Sequence, residues 1–256
     1  MEKIKNIILI LIATTWMMAC TQEDEIKPVE QPTEELTYDG SVLDFIQQDG
    51  GYQGCSFDSL NYAVTHLEGL QDALTGDSVT LFAVSDKSFD LAENILEKFR
   101  ITNDKGNRLS LDDLMIEPFE VVDTLITIDP LTKETDTAYV HHQYDYRESL
   151  RQLVGRYIFK QTLTLNNVTE DTYFSLFQHQ MNIVIPRSDA GGLSEAGDAT
   201  LQLVETSGSK LQTSWVRANV IYSIRCRNGY VHILSPLHEF GFNEINSYFS
   251  NYGNEK

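Results

Sequence analysis

The chain changes its hydrophobic period between Val79 and Leu96. Val79-Thr-Leu-Phe-Ala-Val84 is an apolar run rich in β-branched and aromatic residues, which predicts a short buried strand. Phe89, Ala92 and Leu96 then recur at helical spacing, from about Lys87 to Phe99. Ser85 stands before them with a hydroxyl suited to an N-cap. A strand therefore breaks sharply into a helix, with a small polar corner between. Asp86 in that corner is assigned to accept hydrogen bonds from the backbone N–H groups of the turn that follows, where the helix dipole favours an anion. A ligand contact is the alternative.

Upstream, Ser41 caps a short helix through Gln47 with Val42, Phe45 and Ile46 on one face, and glycines at 50, 51 and 54 break it. A second helix runs from Ser56 to Leu67, and Gly69 to Gly76 is assigned as a turn region. Downstream, Asn103 to Asn107 is a turn, and Ser110 with Asp113 resembles a capping box opening a helix over Leu111 to Met115. Residues 117–147 are irregular apart from a strand-like alternation over Val121 to Ile128, and are assigned as a surface insertion. Helical spacing resumes at Glu148, with Leu150, Leu153, Val154 and Tyr157 on one side.

From Lys160 onward the pattern is strand-like: Tyr173 to Phe177, Met181 to Ile185, Thr200 to Val204, Leu211 to Val216, Asn219 to Arg225 and Tyr230 to Leu234. Asn228-Gly229 between the last two is a hairpin signal. A closing helix covers Asn243 to about Tyr252. Helices first and strands afterwards predict an α+β fold around one shared core.

Composition narrows the partners. Nineteen basic residues against 38 acidic ones give a net charge of −19 over 256 residues. Such a chain repels phosphate backbones, which argues against nucleic acid. Residues 1–19 carry Lys3 and Lys5, then an apolar run from Ile7 to Trp16, shorter than the ~20 residues that span a bilayer. Met17-Met-Ala-Cys20 closes it and resembles the lipobox of bacterial lipoproteins, in which the cysteine, here Cys20, is lipidated and anchored in the outer membrane. Residues 20–39 are polar and acidic with Pro28 and Pro32, and are assigned as a flexible tether. Acidic residues just after the cysteine resemble the surface-export signal of Bacteroidetes lipoproteins, which implies a cell-surface position; facing the periplasm is the alternative. Cys55 and Cys226 remain, either paired or buried as free thiols.

Three segments together resemble a fasciclin-like domain over roughly Gly40 to Leu237. They are Leu81-Phe-Ala-Val-Ser-Asp-Lys-Ser-Phe89, Leu150-Arg-Gln-Leu-Val-Gly-Arg-Tyr-Ile158 and Asn228-Gly-Tyr-Val-His-Ile-Leu234. The resemblance places Phe82, Ser85, Asp86, Phe89, Tyr157, Asn228, Gly229 and His232 at family-motif positions of structural type. It implies helices of the first half packed on a β-sandwich or wedge of six or seven strands, residues 40–256 forming one domain with an insertion at 117–147. Val84 stands where the family has proline. Ile158 stands where it has the histidine tied to integrin adhesion, so that route is not carried over. The family implies an extracellular binding or adhesion module without catalysis.

The residues offer little that reads as chemistry. His232 lies between Val231 and Ile233 and is assigned as a core histidine holding a loop. No catalytic, metal or cofactor motif is present. A hydrolase with a site assembled from distant residues is retained as an alternative. The candidate binding surface is Tyr139, His141, His142, Tyr144 and Tyr146, aromatic faces among polar neighbours that suit a protein or a glycan ligand. The competing role is to cover the following helix. Asp136-Thr137-Ala138 resembles an O-glycan acceptor of Bacteroidetes secreted proteins, with Thr137 placed in a loop. The expected function is a lipid-anchored adhesion or binding module, the alternative an accessory glycan-binding lipoprotein of a polysaccharide-uptake system.

Overall fold

The computed structural model describes residues 36–169 and 171–254. The expected signal peptide, the expected lipidation site Cys20 and most of the expected tether lie outside the described residues. The fold is α+β.

The earliest described element is strand β1, Leu36–Thr37, followed by helices α1 (Val42–Gln47), α2 (Asp58–His66) and α3 (Leu70–Thr75). Strand β2 (Val79–Ala83) and the long helix α4 (Asp86–Thr102) form the strand-to-helix corner, and α5 is Leu111–Leu114. A ribbon of β3 (Phe119–Ile128) and β4 (Thr135–Tyr144) precedes α6 (Tyr146–Gly155). Six strands come next: β5 (Ile158–Phe159), β6 (Asp171–Phe174), β7 (Gln180–Val184), β8 (Gln202–Glu205), β9 (Val216–Cys226) and β10 (Gly229–Leu234). Helix α7 (Ile245–Phe249) closes the described chain.

The main sheet runs β5-β2-β10-β9-β8-β7-β6, with β1 added alongside β9. It nearly closes on itself, because Leu176 N–H donates to the Ile158 carbonyl at 2.8 Å and so joins the two ends of that order. It differs from the expected wedge of late strands by drawing in two early ones. Strand β2 lies between β5 and β10 and pairs in parallel with β10, Leu81 opposite Val231. All five of its residues are buried, which explains the unbroken apolar run. Strand β1 pairs in parallel with Ile224 and Arg225. The expected tether to residue 39 therefore ends earlier: Tyr38 N–H also donates to Arg225 and its ring meets Phe45 edge-on.

Local rules explain the helix starts. Ser41 and Asp44 form a reciprocal capping box on α1, and Ser110 and Asp113 another on α5. The region 69–76, assigned as a turn, holds α3 instead. Gly69 enters at φ 77°, and Leu70, Ala73 and Leu74 bury one face. Leu211 to Val216, assigned as a strand, contains a 3₁₀ turn over Gln212–Ser214; the strand begins at Val216 and runs eleven residues. The strand expected over Val121 to Ile128 is present as β3, and the rest of the insertion is regular rather than irregular: β3 and β4 pair over ten consecutive positions, from Phe119 opposite Tyr144 to Ile128 opposite Thr135.

One core joins the elements, including Phe45, Phe57, Phe82, Phe89, Tyr157, Val231 and Phe249. The end of the chain is tied in by Arg100, buried at the end of α4. Its guanidinium donates to the carbonyls of Tyr252 at 2.8 Å, Ser250 at 3.2 Å and Asn107 at 3.0 Å. The carbonyls that a helix end leaves open are thus satisfied from another element.

Candidate functional site

The motif residues converge, and most of them hold backbone. Ser85 sits at the N-cap position of α4 but makes no side-chain cap bond there, and its buried Oγ has no hydrogen-bond partner. Asp86 departs from its expected role. Its carboxylate caps the neighbouring helix α2, accepting from Ser59 N–H at 2.7 Å and Asp58 N–H at 3.3 Å. Helix α2 needs this because its own N-cap residue is Phe57, which has no side-chain acceptor. Asp86 N–H in turn donates to the Ser56 carbonyl at 3.0 Å. Phe89 stacks on Phe240, centroids 4.2 Å apart, and Phe82 lies 5.0 Å from the His232 ring.

Asn228 is a three-way clamp. Its Oδ1 accepts from Val42 N–H at 2.8 Å, and its Nδ2 donates to the carbonyls of Leu74 and Gly76 at 2.9 and 2.8 Å. The start of α1 and the end of α3 are thereby fixed to the β9–β10 turn. That turn is Arg227-Asn228, with Gly229 already paired to Cys226 as the first residue of β10. Gly229 is required by a close approach: a Cβ there would stand 1.8 Å from the Val79 carbonyl oxygen.

His232 and Tyr157 complete the set. The Nε2 of His232 lies 2.7 Å from the Leu163 carbonyl and its Nδ1 lies 2.8 Å from Ser223 Oγ. Burial pushes its pKa down to about 4, so the ring is neutral, donating to Leu163 and accepting from Ser223. The Tyr157 hydroxyl accepts from Gly241 N–H at 2.9 Å and lies 2.9 Å from His238 Nε2. Burial drives the His238 pKa to about 3, which leaves Nε2 free to accept the tyrosine proton. Burial likewise raises the Tyr157 pKa, keeping the phenol protonated.

A buried ionic group, not legible in the sequence, joins α6 to β8 and α7. Arg156 Nη1 is 2.7 Å from Glu244 Oε2, at an angle that makes an ion pair rather than a hydrogen bond. It is also 3.7 Å from Glu205 Oε2, and Arg156 Nη2 donates to Tyr248 Oη at 3.0 Å. Burial alone would raise the Glu205 pKa. Hydrogen bonds from His179 and from Ser207 N–H, with the charges of His179 and Arg156, outweigh it and hold the pKa below the usual carboxylate value. Charges this buried are costly unless paired, and here they are paired.

The tyrosine-rich stretch divides. Tyr146 is core, 5% exposed, packed against Phe249 and Tyr252. Tyr144 is half-buried against Phe119 and Tyr146. Strand alternation then puts His142 on the face of Tyr144, and Tyr139 and His141 on the other. The expected single surface is therefore two faces and one core residue. Both histidines meet carboxylates across the ribbon, His141 with Glu120 at 2.8 Å and His142 with Asp123 at 3.3 Å. Thr137 is exposed but lies within β4, not in a loop.

Beyond its base the ribbon is bare. Val122, Leu125, Ile126, Ile128, Tyr139 and Val140 are exposed, and Leu131 at the tip is 91% exposed. Five carboxylates and one lysine lie among residues 119–144. Cys55 and Cys226 are free and buried, and burial pushes the Cys226 thiol up to about 12. No described helix is long and apolar enough to cross a membrane. No protein-family model matches the chain, and no curated protein matches it.

Proposed function

We propose that this chain is a non-catalytic adhesion or binding module with a fasciclin-like fold. It is held at the cell surface by an acylated Cys20 and presents the β3–β4 ribbon to a protein partner. The observation that carries this reading is the ribbon itself. Among the described residues its strands pair only with each other, and they expose six large apolar side chains along their length. A bare two-stranded edge with apolar faces is a ready template for association, which monomeric domains ordinarily blunt or cover. The acidic groups along it suit a partner whose apolar contact patch has a basic rim.

Two further features support the reading. The three motif segments share one core, with Phe82 N–H donating to the Tyr157 carbonyl at 2.8 Å and Leu81 paired to Val231. Asp86, Asn228, Tyr157 and His232 spend their polar atoms on the protein's own backbone and side chains rather than on an open cleft.

The test is adhesion of beads coated with the full-length chain to arrays of extracellular matrix proteins and of glycans. Binding to a defined protein that Ile126→Asp and Tyr139→Ala abolish supports the proposal. Binding to a protein that these substitutions leave intact, or binding to no protein on the array, overturns it.

A further inference from the structure

Where the main sheet nearly closes, β5 and β6 meet at Leu176 and then diverge. The gap between them is a pocket of about 300 Å³, at the small end of ligand sites, lined in part by Lys160, Gln161, Thr172, Phe174, Ser175 and Gln178. Three observations bear on what it holds. Lys160 is exposed and forms no ion pair among the described residues. The side-chain amides of Gln161 and Gln178 likewise make no hydrogen bond among them. Phe174 stands at the mouth, 52% exposed. In a chain with twice as many acids as bases, none of the described lining residues is acidic.

Exposed amides and one aromatic face suit a ring that is apolar on its C–H face and hydroxylated at its rim. A lone ammonium suits one carboxylate. A phosphate dianion calls for a guanidinium or several cations, and a peptide amine would find no counter-charge. We propose that this seam pocket binds a sugar ring bearing a carboxylate, with Lys160 on the carboxylate, Phe174 against the ring, and Gln161 and Gln178 on the hydroxyls. The pocket is separate from the ribbon, so the site stands or falls independently of the adhesion reading.

The experiment is calorimetric titration of the full-length chain with methyl glucuronide, methyl galacturonide and their neutral counterparts, methyl glucoside and methyl galactoside. At least one uronide is expected to bind about tenfold more tightly than its neutral counterpart, the contribution of one charge-assisted contact. Lys160→Met removes that preference and leaves the neutral sugar unchanged, Phe174→Ala weakens both, and Ile126→Asp on the ribbon alters neither. Lys160 and Phe174 are exposed, so both variants are expected to fold, which their thermal midpoints check. Binding of no uronide, equal binding of charged and neutral sugars, or a preference that survives Lys160→Met overturns the proposal.

Discussion

The carboxylate of Asp86 accepts a hydrogen bond from Ser59 N–H at 2.7 Å, so the first residue of one helix caps the start of another. Asp86→Ala removes the only side-chain acceptor that the described residues offer at the head of α2 and is expected to lower stability by about 1–2 kcal/mol in urea unfolding. Asp86→Asn keeps an acceptor and should recover much of this. Ser85→Ala is expected to cost less than Asp86→Ala, because Ser85 Oγ makes no hydrogen bond.

Asn228→Ala breaks three bonds at once and leaves Val42 N–H and two carbonyls to find water. A loss of about 3 kcal/mol is expected, read as a fall in thermal midpoint. Gly229→Ala should be worse, since the new methyl group meets backbone rather than a yielding side chain. If soluble Gly229→Ala protein melts like the parent, the close approach between β10 and β2 is wrong.

The buried histidines predict acid sensitivity. An ordinary histidine takes up a proton below pH 6.5, whereas folded His232 and His238 refuse it until about pH 4 and about pH 3. Their stabilising effect is therefore complete above pH 6.5 and is lost as pH falls through that value, at about 1.4 kcal/mol per pH unit for each ring. Glu239 acts oppositely: burial raises its folded pKa to about 7, so stability declines as pH rises from 4.5 toward 7 and part of the histidine slope is offset. Urea midpoints at pH 7, 6 and 5 should fall in that order, and more shallowly in His232→Gln. A midpoint that rises toward pH 5 would contradict the assignment of neutral, buried rings.

Two tyrosines seven residues apart should respond differently. Tyr146→Ala opens a cavity under α6 and is expected to cost about 3–5 kcal/mol. Tyr139→Ala, at an exposed ribbon position, should lie within about 0.5 kcal/mol of the parent. Equal effects in chemical denaturation would mean that the ribbon is packed down in solution.

What was legible followed from local chemistry. The Ser41 and Ser110 capping boxes, the buried β2 run and the apolar face of α6 announce themselves within a few residues. Helix α3 was missed although Leu70, Ala73 and Leu74 are spaced for it, because glycines on both sides outweighed six residues of pattern. Of the ribbon, β3 shows in the alternation over Val121 to Ile128, whereas β4 escapes because its residues, exposed on both faces, do not alternate apolar with polar. The partners of Asp86, Arg100 and Glu205 were out of reach for another reason: each bonds across elements far apart in the chain, and a charged residue about to be buried looks like any surface charge. The seam pocket is likewise a product of closure, since Lys160 and Phe174 become neighbours only once the sheet curls round.

Arg100 finds the Asn107 carbonyl close by and its other carbonyls about 150 residues downstream, and β2 finds its parallel partner almost as far along. While the chain is being synthesised, the corner of β2 and α4 therefore emerges with a guanidinium whose partners at Ser250 and Tyr252 do not yet exist. The interior cannot lock until residues 249–252 have left the ribosome. A chain shortened before Tyr252 should thus be a target for proteolysis rather than a slightly weaker version of the same protein.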